Sequence, residues 1–237
     1  YNVTREDQDK FGLMSHNRAE AAQKNGKFKD EIIPVDAVKF RTEKDGKVVR
    51  YTEKFDSDEG IRYGLTMEDM TKLKPAFIPK VGTVTAGNAS QMNDAAAAVI
   101  LMSREKAEAL GIKPIAVFRS YAVAGCEPDY MGLGPIYAVP KALKIAGIDK
   151  TQINVWELNE AFASQAVACV RGLGIEDAMA NINPLGGGIA LGHPLGCTGA
   201  FLTCKLLGEL SRRGEKYGVV SMCIGGGMGA AGIFEMC

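Results

Sequence analysis

A layered α/β fold is predicted for this chain by three features of its sequence. From Gly82 onward, β-branched runs alternate with Ala-rich helical patterns. Eleven of the 28 glycines fall in two short stretches, six in 186–199 and five in 225–232, each beside a predicted strand. A content of 46% hydrophobic against 24% charged residues supplies enough apolar side chain for a buried core in 237 residues.

The elements follow in order. Thr4 with Asp7 three residues on forms a capping pattern, predicting a first helix that runs through an Ala-rich, mixed-charge stretch to the breaker Asn25-Gly26. Short strands are expected over 31–35 and 47–52, the second after the turn Asp45-Gly46. Thr66 and Asp69 repeat the capping pattern and predict a short helix ending near Pro75. Thr83-Val84-Thr85 reads as a strand, 87–90 as a turn and 91–110 as an Ala-rich helix. Beyond it the expected order is strand 115–124, helix 135–146, strand 153–158, helix 160–172, a glycine-rich loop, helix 197–213, strand 217–223 and a closing strand 229–235. No residue-level repeat accompanies this pattern, which rules out a solenoid.

Charge is concentrated at the front, where residues 1–80 hold 16 of the 28 basic and 15 of the 28 acidic residues, so that region is mostly surface. Over the whole chain the two signs cancel, so no global field recruits nucleic acid, and an anionic ligand has to be held locally. The most apolar runs, 95–102 and 218–224, fall far short of the roughly 18 residues of a membrane span. Six cysteines, at 126, 169, 197, 204, 223 and 237, include no C-x-x-C pair, and His16 and His193 lie far apart. A metal site is therefore not expected, nor a disulfide scaffold, and reduced cysteines point to an intracellular compartment. The chain opens on Tyr1 with no charged-then-apolar leader, so an incomplete chain is expected, with any targeting segment absent or outside this sequence.

Chemistry concentrates at three turns. Gly192-His193-Pro194-Leu195-Gly196 places a histidine just before a helix, whose N-terminal partial charge is expected to lower the imidazole pKa and keep it neutral. A neutral imidazole accepts a proton from a thiol or donates to a carbonyl, although a turn histidine can also be satisfied by backbone alone. Cys223-Ile224-Gly225-Gly226-Gly227 puts a thiol at a strand end ahead of donor-rich glycines. That placement suits an acid, a base or a nucleophile, and equally an inert buried cysteine. Asn159-Glu160-Ala161-Phe162-Ala163 lies where a strand hands over to a helix. Asn159 is placed to orient a water, to donate to an oxyanion or simply to cap the helix, with Glu160 in its first turn. Both glycine clusters can cradle an anion or merely turn tightly, and neither matches a phosphate-loop or dinucleotide fingerprint.

Taken together, Asn159-Glu160-Ala161-Phe162, Gly192-His193-Pro194-Leu195-Gly196 and Cys223-Ile224-Gly225-Gly226-Gly227-Met228-Gly229 resemble the three C-terminal signatures of thiolases, in that family's order and approximate spacing. The likeness extends to Thr85-Ala86-Gly87-Asn88-Ala89-Ser90 and to 67–77, and so covers nearly the whole chain. Cys197-Thr198 within the second signature is more similar to degradative 3-ketoacyl-CoA thiolases than to the biosynthetic acetoacetyl-CoA type. The resemblance implies the layered thiolase fold, one complete half and part of the other. It divides the chain into a partial loop domain on the coenzyme A side (1–80), the end of the N-terminal domain (81–113) and the C-terminal domain (114–237).

The resemblance also implies roles. In this family a cysteine of the N-terminal domain is acylated by a 3-ketoacyl-CoA, acetyl-CoA leaves, and a second coenzyme A removes the shortened acyl group. The motif around that nucleophile is absent, and Cys126 in Ala124-Gly125-Cys126-Glu127-Pro128 is a poor match to it. By family analogy His193 activates the nucleophile and, with a water held by Asn159, lines one oxyanion hole. Cys223 moves a proton at the acetyl α-carbon, and the Gly225 N–H contributes to a second hole. Ser90 and Ala86 match pantetheine contacts, Arg62 matches a position near the adenine and phosphate end, and Phe77 and Phe162 match walls of the acyl pocket. Ser90 as a helix cap and Arg62 as a solvated charge are the plainer readings.

The expected activity is that of an acetyl-CoA C-acyltransferase of fatty-acid β-oxidation, inactive as this segment alone. Coenzyme A enters as substrate and no permanent cofactor is implied. The implied partners are an N-terminal thiolase half and further copies in a homodimer or homotetramer. Acetoacetyl-CoA thiolysis and a non-catalytic lipid-binding or assembly subunit are the alternatives. Peroxisome, mitochondrion and cytoplasm are not distinguished.

Overall fold

The computed structural model describes all 237 residues. The Thr4 hydroxyl accepts from Asp7 N while the Asp7 carboxylate accepts from Thr4 N, and this reciprocal cap starts α1 (Arg5–Lys24). Helix α1 turns a polar face inward, burying Gln8, Asp9, Ser15 and His16 beside Phe11 and Ala19. The buried imidazole of His16 accepts the backbone N–H of Arg62 at 3.2 Å, which pins the segment around Arg62 to the helix.

A β-hairpin follows, β1 (Val35–Thr42) and β2 (Val48–Phe55), turning at Asp45-Gly46 where Gly46 takes φ +84°. The expected strand at 31–35 contributes only its last residue, because pairing Val35 with Phe55 and Thr42 with Val48 centres the hairpin on that turn. The second cap, Thr66 with Asp69, starts α2 (Met67–Lys72) as expected. No strand forms at 83–85. Thr85 N donates to Asn88 Oδ1 and the Thr85 hydroxyl accepts from Gly87 N, which folds the stretch into a polar turn.

The long helix expected over 91–110 is also corrected, since only α3 (Arg104–Ala109), capped by Ser103, is helical. Residues 91–103 run without secondary structure, with Met92, Ile100 and Leu101 largely exposed. Helicity in a short segment depends on burying one face. Val99-Ile100-Leu101-Met102 is apolar on every side, and its middle residues Ile100 and Leu101 stay 85% and 70% exposed.

The rest of the chain matches the expected order within a few residues. It runs through β3 (Ala116–Gly125), α4 (Gly134–Ala146), β4 (Val155–Leu158), α5 (Ala163–Leu173), α6 (Gly188–Leu191), α7 (Thr198–Arg213), β5 (Tyr217–Ile224) and β6 (Met228–Met236). The sheet order is β3-β6-β5-β4, with β4 parallel to β5 and the other pairs antiparallel. Strand alternation covers both faces. Trp156, Val219 and Ile233 join the α4-side core, while Val155, Val220 and Phe234 pack against Leu202, Leu206 and Leu210 of α7. This is a sheet between helical layers, as the sequence predicts. No helix is long and apolar enough to cross a membrane.

The closest approach in this domain is between Gly134, which opens α4, and Gly229 in β6. A Cβ at Gly229 would lie 2.1 Å from the carbonyl carbon of Gly134. Gly229→Ala is expected to destabilise the chain by about 2 kcal/mol or more through backbone displacement, whereas Gly196→Ala, with open space around its Cβ, should be near neutral. Urea unfolding of the two variants checks this. His16 supplies a pH test. Burial lowers its pKa from 6.5 to about 4 in the folded chain, so below pH 6.5 the unfolded chain takes up a proton that the folded one refuses. Stability is expected to fall as pH drops from 6.5 toward 4, and His16→Asn, measured against wild type, should remove that part of the slope.

Candidate active site

Three loop arms meet at one end of the C-terminal sheet. The first leaves β4, where Asn159 N donates to Ser221 O at 2.9 Å and so extends the pairing with β5 one residue further. The second is the turn that follows α6 and carries His193. The third is the end of β5 with Cys223, followed by the glycine turn. Asn159 is 2% exposed, and its Nδ2 lies 3.2 Å from His193 Nε2. Cys223 lies two residues beyond Ser221 on the neighbouring strand, at the same end as Asn159.

Hydrogen bonds assign the imidazole. Thr198, at the start of α7, donates its hydroxyl hydrogen to Pro194 O at 3.1 Å and lies 2.7 Å from His193 Nδ1. With that hydrogen committed, Thr198 Oγ1 accepts from Nδ1–H, and Nε2 is left with a lone pair facing Asn159 Nδ2. Asn159 Oδ1 is buried with no partner in the protein. The pKa of His193 is lowered, as expected, and its cause is burial. Burial also pushes the Cys223 thiol above the ordinary thiol value, so it is protonated at neutral pH.

The glycine turn joins β5 to β6, with φ +88° at Gly226 and +92° at Gly227. A Cβ at Gly227 would come within 2.5 Å of Cys126 O, whereas Gly225 has open space around it. Cys126 follows β3 and donates its N–H to this turn through Gly227 O at 2.8 Å.

The Asn159 arm differs from expectation in one respect. Helix α5 starts at Ala163 with Phe162 as its N-cap residue, so Asn159 caps nothing and Glu160 lies outside the first turn. Glu160 is instead fully buried, and its carboxylate accepts from Ser15 Oγ at 2.6 Å, Asn183 Nδ2 at 2.7 Å and Ile189 N at 3.2 Å. Burial pushes its pKa up against the pull of these donors. Beside it lies a second buried acid, Glu157, whose carboxylate is 3.0 Å from the ammonium of Lys205, itself 1% exposed. These contacts bridge distant parts of the chain, and no local pattern signals them.

The remaining candidates form a rim. Ser90 N donates to Ala161 O at 2.9 Å and Ala89 bridges Phe162, which joins the 86–90 turn to the Asn159 arm. No helix follows Ser90, so it is not a cap. Phe77 and Phe162 meet edge to face with centroids 6.3 Å apart. Ala86 and Arg62 are exposed, with Arg62 held through its backbone by His16.

Comparison with known proteins gives matches along almost the whole chain. The family model for the thiolase C-terminal domain matches residues 112–236, and that for the thiolase N-terminal domain matches 1–105. The chain is 54% identical over 237 residues to a 3-ketoacyl-CoA thiolase of Bacillus subtilis, covering 100% of this chain and 60% of that protein. It is 54% identical over 236 residues to the peroxisomal 3-ketoacyl-CoA thiolase B of Rattus norvegicus, covering 99% of this chain and 54% of that protein. The crystal structure of human mitochondrial 3-ketoacyl-CoA thiolase in complex with CoA superimposes with a TM-score of 0.88 at 39% identity, covering 99% of this chain and 55% of that one. The chain thus spans just over half the length of the curated relatives it matches. By both family models and by its fold, the chain belongs to the thiolase family.

Proposed function

We propose that this chain supplies the proton-transfer and oxyanion-binding part of a degradative 3-ketoacyl-CoA thiolase. The observation that carries the reading is the Asn159–His193 contact at the end of the sheet where the strand bearing Cys223 also ends. Thiolysis cleaves the bond between the α- and β-carbons of a 3-ketoacyl-CoA. A cysteine thiolate attacks the 3-keto carbon, the acetyl-CoA enolate leaves and takes a proton at carbon, and coenzyme A then displaces the shortened acyl group. The segment of the relatives not covered by this chain is the proposed source of the nucleophile.

Each residue here then has a chemical task. Nε2 of His193, unprotonated while Nδ1–H is bonded to Thr198, takes the proton of the nucleophilic cysteine, returns it to that sulfur when the acyl group leaves it, and lines the oxyanion hole alongside a water held by Asn159. The Cys223 thiol gives its proton to the enolate carbon, and the thiolate left behind is reprotonated by the thiol of the incoming coenzyme A, whose sulfur then attacks the acyl group. The exposed N–H of Gly225 faces the second oxyanion. Ser90, Ala86 and Arg62 contact coenzyme A, and the Phe77–Phe162 pair walls the acyl chain. No permanent cofactor is required.

The division into a loop-domain part (1–80), the end of the N-terminal domain (81–113) and the C-terminal domain (114–237) belongs to the same reading. So does assembly as a homodimer or homotetramer completed by the N-terminal half. Its support is the apolar pair Ile100 and Leu101, which this chain leaves 85% and 70% exposed.

The test joins this chain to the segment of the Bacillus subtilis relative that it does not cover. Thiolysis is then assayed with acetoacetyl-CoA and with a longer 3-ketoacyl-CoA. Turnover of the longer substrate supports the degradative reading, turnover of acetoacetyl-CoA alone supports the biosynthetic type, and turnover of neither leaves a non-catalytic subunit. His193→Ala and Cys223→Ala are each expected to lower kcat by about 10²- to 10⁴-fold. Thr198→Val, which leaves Nδ1–H without an acceptor, should cost about tenfold or more. The acidic limb of the kcat/KM profile should lie below pH 6.5, because His193 must be neutral and its pKa is lowered from that value.

A further inference from the structure

The Asn159–His193 contact joins two side chains whose backbones reach the site by different routes. Asn159 ends a strand, while His193 follows the four-residue helix α6 and the bend at Gly192. Neither arm is held to the other by sheet pairing at this point. They are held by Glu160, which belongs to the first arm and whose carboxylate bonds to the second.

On one side Glu160 shares a peptide bond with Asn159. On the other its Oε2 accepts from Ile189 N at 3.2 Å, inside α6 and four residues before His193. The hydroxyl of Ser15 completes the clamp, accepting Gly187 N–H at 3.1 Å and giving its own hydrogen to Oε2 at 2.6 Å. Asn183 holds Oε1 at 2.7 Å through the same amide nitrogen that donates to Leu158 O, one residue before Asn159. The packing leaves no slack, since a Cβ on Gly187 would lie 2.4 Å from the Glu160 carboxyl carbon.

All three contacts to the carboxylate come from donors. Ile189 offers a backbone N–H, Asn183 its amide N–H, and the Ser15 oxygen already receives a hydrogen from Gly187. The site therefore fits a group with two acceptor oxygens, and an amide of the same shape would set an NH₂ against one of these donors. We infer that Glu160 is a positioning residue of the thiolase reaction, its carboxylate fixing the separation of the Asn159 amide and the His193 imidazole. The inference rests on the proposed activity of the same site. It concerns only how two of that site's groups are held, and Glu160 touches no substrate.

The experiment uses the joined enzyme described above. Glu160→Gln is expected to lower kcat about 10²-fold while KM for the 3-ketoacyl-CoA moves by no more than about threefold, since remote misplacement harms the chemical step and not the binding. Ser15→Ala, a smaller perturbation, should lower kcat about tenfold with the same small change in KM. ¹⁵N spectra of histidine-labelled enzyme report His193 once its signals are assigned by their loss in His193→Ala. They should show the Nδ1–H tautomer in the parent protein and a mixture of tautomers in Glu160→Gln.

A Glu160→Gln enzyme with kcat unchanged and the parent tautomer overturns the inference. Should Glu160→Gln fail to fold, Ser15→Ala decides by the same kinetic split and the same spectrum. If the joined parent enzyme itself cleaves no 3-ketoacyl-CoA, the functional reading fails separately, and the His193 tautomer alone decides the positioning.

Discussion

A single buried carboxylate ties this structure together. Glu160 is bonded to residues of α1, of the 183–187 loop and of α6, which are separated from it by 145, 23 and 29 positions in sequence. Asn159 and the turn that carries His193 take their places relative to that carboxylate. The strand β4 delivers Asn159, the glycine-rich loop delivers His193, and parallel pairing of β4 with β5 brings the strand carrying Cys223 alongside. A negative charge in so dry a position is costly unless its lone pairs are filled, and here each oxygen has a donor.

One layer deeper the compensation is partial, since one oxygen of the Glu157 carboxylate pairs with Lys205 and the other has no hydrogen-bond partner in the protein. Glu157 lies three residues earlier on the same strand run, also fully buried, and is paired with Lys205 from α7. Lys205 also donates to Gly186 O in the loop that Glu160 holds from the other side. A buried pair of this kind gives little net stability compared with an apolar pair, but breaking it leaves an uncompensated charge. Its consequence is geometric. The helix α7, which carries Thr198 beneath His193, is locked to the strand that carries Asn159. The imidazole therefore has its ring orientation, its tautomer and its neighbour set by three separate polar contacts. Such multiple restraint is what preorganised oxyanion binding needs.

Much of this was legible in the sequence where the signal is local. The caps of Thr4 with Asp7 and Thr66 with Asp69 form as their spacing predicts, because a capping box needs only four consecutive residues. The alternation of Val155, Trp156, Val219 and Val220 marks a sheet covered on both faces, and the order of strands and helices after 115 follows. The three turns holding Asn159, His193 and Cys223 stand out by residue type and by family resemblance. Legibility ends where tertiary context decides. Residues 91–103 read as helix because alanine favours it, yet this chain leaves Ile100 and Leu101 largely exposed. Glu160 reads as a helix-start acid because its partners lie far away in sequence. Thr198 is nearer, yet its part in fixing the His193 tautomer emerges only when the hydroxyl is seen to donate to Pro194 O.

We propose that Asn159, His193 and Cys223 surround one reacting thioester of a thiolase completed by the part of its relatives that this chain does not cover. A crystal structure of the joined enzyme with bound coenzyme A tests it most directly. The account predicts the pantetheine running past Ser90 and Phe162, with its sulfur ending between His193 Nε2 and Cys223 Sγ. A coenzyme A whose sulfur ends elsewhere on the protein, with Asn159, His193 and Cys223 untouched, would contradict it.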